Sequence, residues 1–232
     1  KEVEYSEEAL NQLWIEFIKY RIIYDFEYWA YSFIFIKDKV SPKDIPFKLN
    51  RAQRRVLNKL EKLRKAGKPI KFILLKARQW GGSTLVQIYM LWIMLVHRRN
   101  WNTVICGDVE TQSRNVRAMI TKALNKYPSY LLGETVKFTP FEGSSKNKVI
   151  QNTNCVVSIG SFQKPDTLRS GDISGAHLTE IGLWRATPGK KPEDLIQSIS
   201  GSIYDTAYTI LGLESTAKGV GNFFHRTWQQ AV

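Results

Sequence analysis

Cysteine, histidine, acid and long apolar runs are all scarce in this chain, and each shortage removes a class of protein. The two cysteines, Cys106 and Cys155, are too few for a disulfide framework and lack metal-ligand spacing. A reducing, intracellular setting is the expectation. His97, His177 and His225 are scattered and read as structural residues rather than ligands. The longest apolar run, Leu85 to Val96, contains Gln87 and is too short to cross a bilayer. The start, Lys1-Glu2-Val3-Glu4, is acidic and unlike a signal peptide, and without an initiator methionine the chain reads as trimmed. Internal repeats and low-complexity tracts are absent.

The acid deficit is the most informative shortage. Lys and Arg number 34 against 21 Asp and Glu, a formal charge of +13. That surplus points to an anionic partner, nucleic acid first and an anionic membrane surface second. With 43% hydrophobic and 24% charged residues over 232 positions, the chain should fold around a real core, as one α/β domain or two small ones. The charge is uneven. Residues 1–38 carry eight acids and four bases, whereas residues 39–78 carry fourteen bases and two acids.

The first segment is aromatic, and Leu10, Trp14, Phe17 and Ile18 follow helical spacing. One or two helices packed on the main domain are expected. A base-stacking platform is the other reading, which the acidic flanks disfavour. Val40 to Pro46 is turn-rich, which sets a boundary: residues 1–46 as an N-terminal helical segment, 47–232 as the main domain. From Leu49 to Arg64, Val56, Leu57, Leu60 and Leu63 mark one helix face and Arg55, Lys59 and Lys62 another. The basic face is either simply solvated or contacts phosphates. Strands and helices then alternate: Phe72–Leu75, Thr84–His97, Thr103–Cys106 and Glu110–Lys126. Short strands follow within 134–160, then a strand at Gly175–Thr179 and a helix opened by Pro192-Glu193-Asp194. A strand over Ala207–Leu213 and a helix over Asn222–Gln230 complete the pattern. Such alternation implies a mostly parallel sheet covered by helices.

Strand Phe72–Leu75 runs into Lys76-Ala77-Arg78-Gln79-Trp80-Gly81-Gly82-Ser83-Thr84 and then into a helix. Strand, tight loop and helix N-terminus are the context of a phosphate-binding loop. Against G-x-x-x-x-G-K-[ST], Gly81 takes the second glycine and Ser83 the magnesium-binding hydroxyl. Lys76 stands in the first glycine's place and Gly82 in the lysine's. Phosphoryl transfer needs a fixed cation beside the β- and γ-phosphates, so Lys76 or Arg78 must supply it from the other side of the loop. The apolar strand Gly175–Thr179 ends at Glu180, placed to orient or deprotonate an attacking water. Thr179 stands where an aspartate is usual, leaving a hydroxyl to hold a metal-bound water. Ser215 and Thr216 fit a γ-phosphate sensor, and Gln53 an adenine contact. Trp80 either stacks on the nucleotide or packs on the core. Arg114 and Arg117, near a helix start where the dipole disfavours cations, suggest an anion contact. Arg98 and Arg99 close a helix, with DNA contact as a second role.

In order and spacing, K-A-R-Q-x-G-x-S-T, H-L-T-E-I-G-L-W, E-S-T-A-K-G and F-K-L-N-R-A-Q resemble the N-terminal ATPase domain of the large terminase subunit of tailed bacteriophages. The resemblance runs from about Tyr24 to the C-terminus. It implies an ASCE-type P-loop NTPase using ATP and Mg2+ to thread double-stranded DNA into a procapsid. Gln53 would contact adenine, and Lys76, Arg78, Gln79, Trp80, Gly81, Gly82, Ser83 and Thr84 would cradle the phosphates. Ser83 and Thr179 would serve the metal, Glu180 would activate water, and Ser215 and Thr216 would couple hydrolysis to movement. Arg169 is placed as a finger acting on a neighbouring subunit, with Arg78 compensating charge in its own. Implied partners are DNA, the portal protein, the small terminase subunit and further copies in a ring on the portal, in the host cytoplasm and not at a membrane. The family's C-terminal nuclease domain has no counterpart in these residues, so no DNA cleavage is expected. A helicase-like ATPase and a non-catalytic basic DNA-binding module with a degenerate loop are the alternatives.

Overall fold

The computed structural model describes residues 5–38, 40–168 and 172–231. Ser6 starts α1 (Glu7–Tyr24), its hydroxyl accepting from the Ala9 N–H at 3.2 Å, with Glu7 and Glu8 at the positive end of the helix dipole. Asp25 ends that helix and caps α2 (Phe26–Phe33), accepting from the Tyr28 N–H at 2.8 Å. An antiparallel pair follows, β1 (Phe35–Lys37) with β2 (Asp44–Pro46), where the sequence suggested only turns. Asn50 and Gln53 form a reciprocal capping box at the start of α3 (Arg51–Lys65). Then come β3 (Ile70–Lys76), α4 (Gly82–Trp92) with a π-helical turn at Ile93–His97, β4 (Thr103–Gly107), α5 (Glu110–Asn125) and α6 (Ser129–Leu132). The remainder is β5 (Phe138–Phe141), β6 (Ser144–Ile150), β7 (Cys155–Ser161), β8 (Gly175–Thr179), α7 (Pro192–Gly201), β9 (Ile210–Thr216) and α8 (Phe223–Ala231).

Seven strands form one sheet in the order β3-β9-β8-β4-β7-β6-β5. The first five run parallel, and β6 and β5 extend the sheet antiparallel. The fold is α/β, a mostly parallel sheet flanked by helices. Side chains alternate across it. Ile105 and Val157 join a cluster with α1 to α5, while Val104, Cys106 and Leu178 join a second with Leu195, Ile199 and Phe224. Burial on both faces explains the nearly continuous apolar strands. The crossover from β3 through α4 to β4 steps over β9 and β8, so the C-terminal ends of β3, β9 and β8 lie side by side beneath the start of α4. Crevices outside the carboxyl ends of such strands are where α/β sheets bind ligands.

The N-terminal helices are fixed by polar as well as apolar contacts. The buried Trp92 indole donates to the Ile22 carbonyl at 2.8 Å, and Trp29 donates to the Tyr127 hydroxyl at 2.9 Å. Each such bond is worth about 1 kcal/mol net. Phe26 packs on Tyr89 and Trp92, with ring centroids 5.3 and 5.4 Å away. The expected face of α1 is only partly correct: Ile18 is buried with Ile22, but Leu10, Trp14 and Phe17 lie exposed beside Leu13, Tyr20 and Tyr24. Aromatics surround this helix, so spacing alone did not reveal which side meets the domain. Among the described residues no helix is long and apolar enough to cross a membrane.

Candidate functional site

The loop between β3 and α4 is shaped by two glycines and by packing from below. Gly81 has φ +83°, and a Cβ there would meet the Gln53 amide nitrogen at 2.7 Å. Glycine suits both demands. The Gln53 amide donates to the Gly81 carbonyl at 2.9 Å, its own carbonyl accepts from the Asn50 N–H, and Asn50 donates to the Trp80 carbonyl. Gln53 is therefore a brace under the loop, with one amide hydrogen left over for any other partner. Gly82 is covered by Trp80, whose ring edge would stand 2.6 Å from an added Cβ. Trp80, half-buried, thus packs over the position where a standard loop carries lysine. No side chain caps the start of α4, so its first N–H groups face the crevice without a side-chain acceptor.

Lys76, the last residue of β3, brings its ammonium to the same place. Its Nζ lies 2.7 Å from the Ser83 hydroxyl, 3.1 Å from Glu214 and 3.2 Å from Glu180. Arg78 is exposed on the loop, beside the exposed Gln79, whose φ is +64°. Thr84 lines a cavity of about 360 Å³ with Ser83, Gln87, Gln112, Thr179 and Glu180. Arg169 lies outside the described residues.

Glu180 follows β8 in left-handed backbone, φ 58° and ψ 36°. That conformation costs a side-chain-bearing residue roughly 1–2 kcal/mol, and such strain collects at functional sites. The turn carries its carboxylate between two neighbours: one oxygen pairs with Lys76, the other accepts from the Thr216 hydroxyl at 3.1 Å. Ser215 is buried behind, accepting from the Gly182 N–H at 2.9 Å and so pinning the turn after Glu180 to β9. The strand expected over Ala207–Leu213, with Ser215 and Thr216 after it, lies instead at Ile210–Thr216, because Ile70 to Lys76 pair in register with Ile210 to Thr216.

Two members of the cluster had no role in the sequence reading. Glu214, fully buried, accepts at one oxygen from the Ser83 hydroxyl, from Thr179 at 2.6 Å and from Lys76. His177, equally buried and expected to be a plain structural residue, places Nε2 3.3 Å from that same oxygen. Burial alone would raise the Glu214 carboxyl, but His177, Lys76 and the Ser83 hydroxyl outweigh it and hold it below the ordinary carboxylate range. Nearby, burial raises the Asp108 carboxyl; Arg185 opposes this and Glu180 adds to it. The signal for Glu214 was present as an acid inside the apolar strand I-L-G-L-E-S-T, where an unpaired charge would be costly.

Further residues have partners of their own. Arg98 lies over the Tyr208 ring at 3.9 Å, and Arg99 donates to the Asn152 carbonyl. His225 accepts from the Gly221 N–H, and Trp184 stacks on Phe162 in the core. Arg114 and Arg117 line a groove on α5 with Lys122, Lys126 and Lys148, while Gln112, Asn115 and Met119 of the same helix line the cavity beside Ser83 and Thr84.

The site's oxygens suit a hard divalent ion. Ser83 and Thr179 offer hydroxyls, and the second Glu214 oxygen is buried with no hydrogen-bond partner among the described residues. Among the described residues no three acidic, histidine or cysteine side chains form a metal cage. Mg2+ is ordinarily held by one or two protein oxygens together with substrate phosphates and water, not by such a cage.

The comparisons with solved structures agree with this architecture. The chain aligns with the large terminase of bacteriophage HK97 at TM-score 0.63 and 21% identity, covering 85% of this chain and 37% of that one. This is the fold of a phage large-terminase ATPase domain. A point mutant of the ATPase domain of the Thermus phage P74-26 large terminase aligns over 78% of this chain and 69% of its own at TM-score 0.52 and 14% identity. The large terminase of another thermophilic bacteriophage, solved in complex with ADP, aligns over 78% of this chain and 42% of its own at TM-score 0.51 and 13% identity. No family model and no curated protein matches the chain in sequence. These identities establish the fold, and the chain spans little more than a third of the HK97 protein.

Proposed function

We propose that this chain is the ATP-hydrolysing motor domain of a viral large terminase, moving double-stranded DNA into a procapsid. The observation that carries the reading is Lys76: from the wrong end of the loop its ammonium still reaches the Ser83 hydroxyl at 2.7 Å. An ammonium held beside that hydroxyl supports the reading of Lys76 as the charge-compensating cation.

In this reading the start of α4 and the loop backbone from Gln79 to Thr84 bind the ATP phosphates. Lys76, with Arg78 at the rim, offsets their charge. Ser83 and Thr179 would hold Mg2+, which supplies charge neutralisation between the phosphates. Glu180 orients and deprotonates the attacking water, and Thr216, bonded to that carboxylate, carries the change in the pocket into β9. Ser215 holds the turn in place, and Gln53 braces the loop and offers its free amide hydrogen to adenine. Arg169 is proposed to act on a neighbouring subunit in a ring on the portal, with the small terminase subunit as a further partner, in the host cytoplasm. DNA would be gripped through phosphates without sequence preference, since packaging must act on any stretch of genome. Arg55, Lys59 and Lys62, all exposed on α3, are the proposed contacts. DNA cleavage is not expected of these residues.

The test is Glu180→Ala. ATP hydrolysis should vanish while Mg2+-dependent nucleotide binding, read by calorimetry, persists. Hydrolysis unchanged by the substitution, or a native chain that binds no nucleotide, refutes the reading.

A further inference from the structure

The acid that normally ends the metal-organising strand is missing here, since Thr179 occupies its position on β8. Three observations point to where the charge went. β8 and β9 are parallel neighbours with Thr179 opposite Glu214, so both side chains leave the same face of the sheet, toward α4. The Glu214 carboxylate accepts the hydroxyl hydrogens of both Ser83 and Thr179. Its other oxygen is buried without a partner among the described residues. A carboxylate oxygen left so in the interior is costly unless something binds it.

We infer that Glu214 is the metal-organising carboxylate of this site, delivered from the adjacent strand in place of the absent aspartate. It acts as a positioning residue. By accepting the Ser83 proton it turns a lone pair of that hydroxyl toward the crevice, and its free oxygen is available to water in the shell of Mg2+. Thr179, whose oxygen would still face the metal, also holds the relocated carboxylate against the loop through its donated hydrogen bond. The inference rests on the nucleotide reading above. It differs from the bland alternative, in which Glu214 is only a buried counter-ion for Lys76 and His177. A counter-ion would affect folding stability but not the gain in nucleotide affinity that the metal confers.

The experiment titrates the full chain with a fluorescent ATP analogue, once with Mg2+ and once with EDTA, and takes the ratio of the two affinities. Outer partners of metal ligands typically carry about 10–100-fold in metal affinity, so Glu214→Gln should reduce the native ratio by at least about 10-fold. Affinity in EDTA should not fall, because the substitution removes a carboxylate that competes with the phosphates for Lys76. The second variant, Thr179→Asp/Glu214→Gln, returns the charge to β8 and should recover most of the ratio. It also decides the matter if Glu214→Gln does not fold: a folded double variant with a native-like ratio supports the inference, and one without it overturns it. A native ratio in Glu214→Gln also overturns it. Absence of nucleotide binding by the native chain, with or without Mg2+, would instead defeat the broader nucleotide reading.

Discussion

Removing the Lys76 ammonium should unfold this domain more readily than its position on a loop edge suggests. The side chain is 8% exposed and faces two carboxylates, Glu180 at 18% and Glu214 at 0%. With Lys76→Met, Glu214 stays in the interior without its ammonium partner, beside the His177 ring at 3.3 Å. Breaking a buried pair by removing one member costs about 3–5 kcal/mol, a large share of the roughly 5–15 kcal/mol that stabilises an ordinary domain. Glu214→Gln is milder, because Lys76 retains Glu180 and the amide carbonyl still accepts from Ser83 and Thr179. The double variant removes both charges and should recover part of the loss, giving a coupling of about 1–3 kcal/mol. Urea unfolding followed by tryptophan fluorescence measures all four corners of this cycle. Additivity within about 0.5 kcal/mol would refute the claim that Lys76 and Glu214 form one buried electrostatic unit.

Further consequences follow from other parts of the fold. Burial first, then Arg64 and Arg98, lowers the His97 pKa to about 3. Its neutral form is thus favoured in the folded state, and stability should fall as pH drops below the unfolded value of about 6.5, by roughly 2 kcal/mol at pH 5. Denaturation of His97→Phe should lack that component; an unchanged acid slope argues against it. Gly82→Ala should weaken nucleotide binding, since its Cβ meets Trp80 at 2.6 Å and overpacking costs about 1–3 kcal/mol. Adding Trp80→Ala should relieve the clash, and no relief would mean that Trp80 is not the obstacle. Arg55→Glu/Lys59→Glu should weaken DNA binding and lower the log–log salt slope by about 2 if both residues touch phosphates. An unchanged slope assigns them to solvent.

The parts of the site readable from sequence are those carried by local pattern. A strand, a glycine turn and a helix start announced the loop at Lys76–Thr84, and an apolar strand ending in acid announced Glu180. The Pro192-Glu193-Asp194 start of α7 was equally plain, because dipole and proline rules act within one turn. Glu214 and His177 were not assigned, because their roles depend on strand register across the sheet, which no window of sequence contains. Asn50-x-x-Gln53 carries a capping signature, and the structure uses Gln53 as both a cap and a brace under Gly81. The antiparallel edge of β5 and β6 appeared only as short strands, since pairing direction leaves no mark in composition. The exposed aromatic face of α1 was hidden because apolar residues occur on both sides of that helix.

The claim on which the rest depends is that positive charge enters this pocket from upstream of the glycines. Its most direct measurement is a structure of the chain with Mg2+ and a non-hydrolysable ATP analogue. Lys76 should have exchanged its carboxylate partners for the β- and γ-phosphate oxygens, within about 3 Å of them, with Arg78 the second cation at the rim. A bound triphosphate with neither cation beside it would contradict that claim.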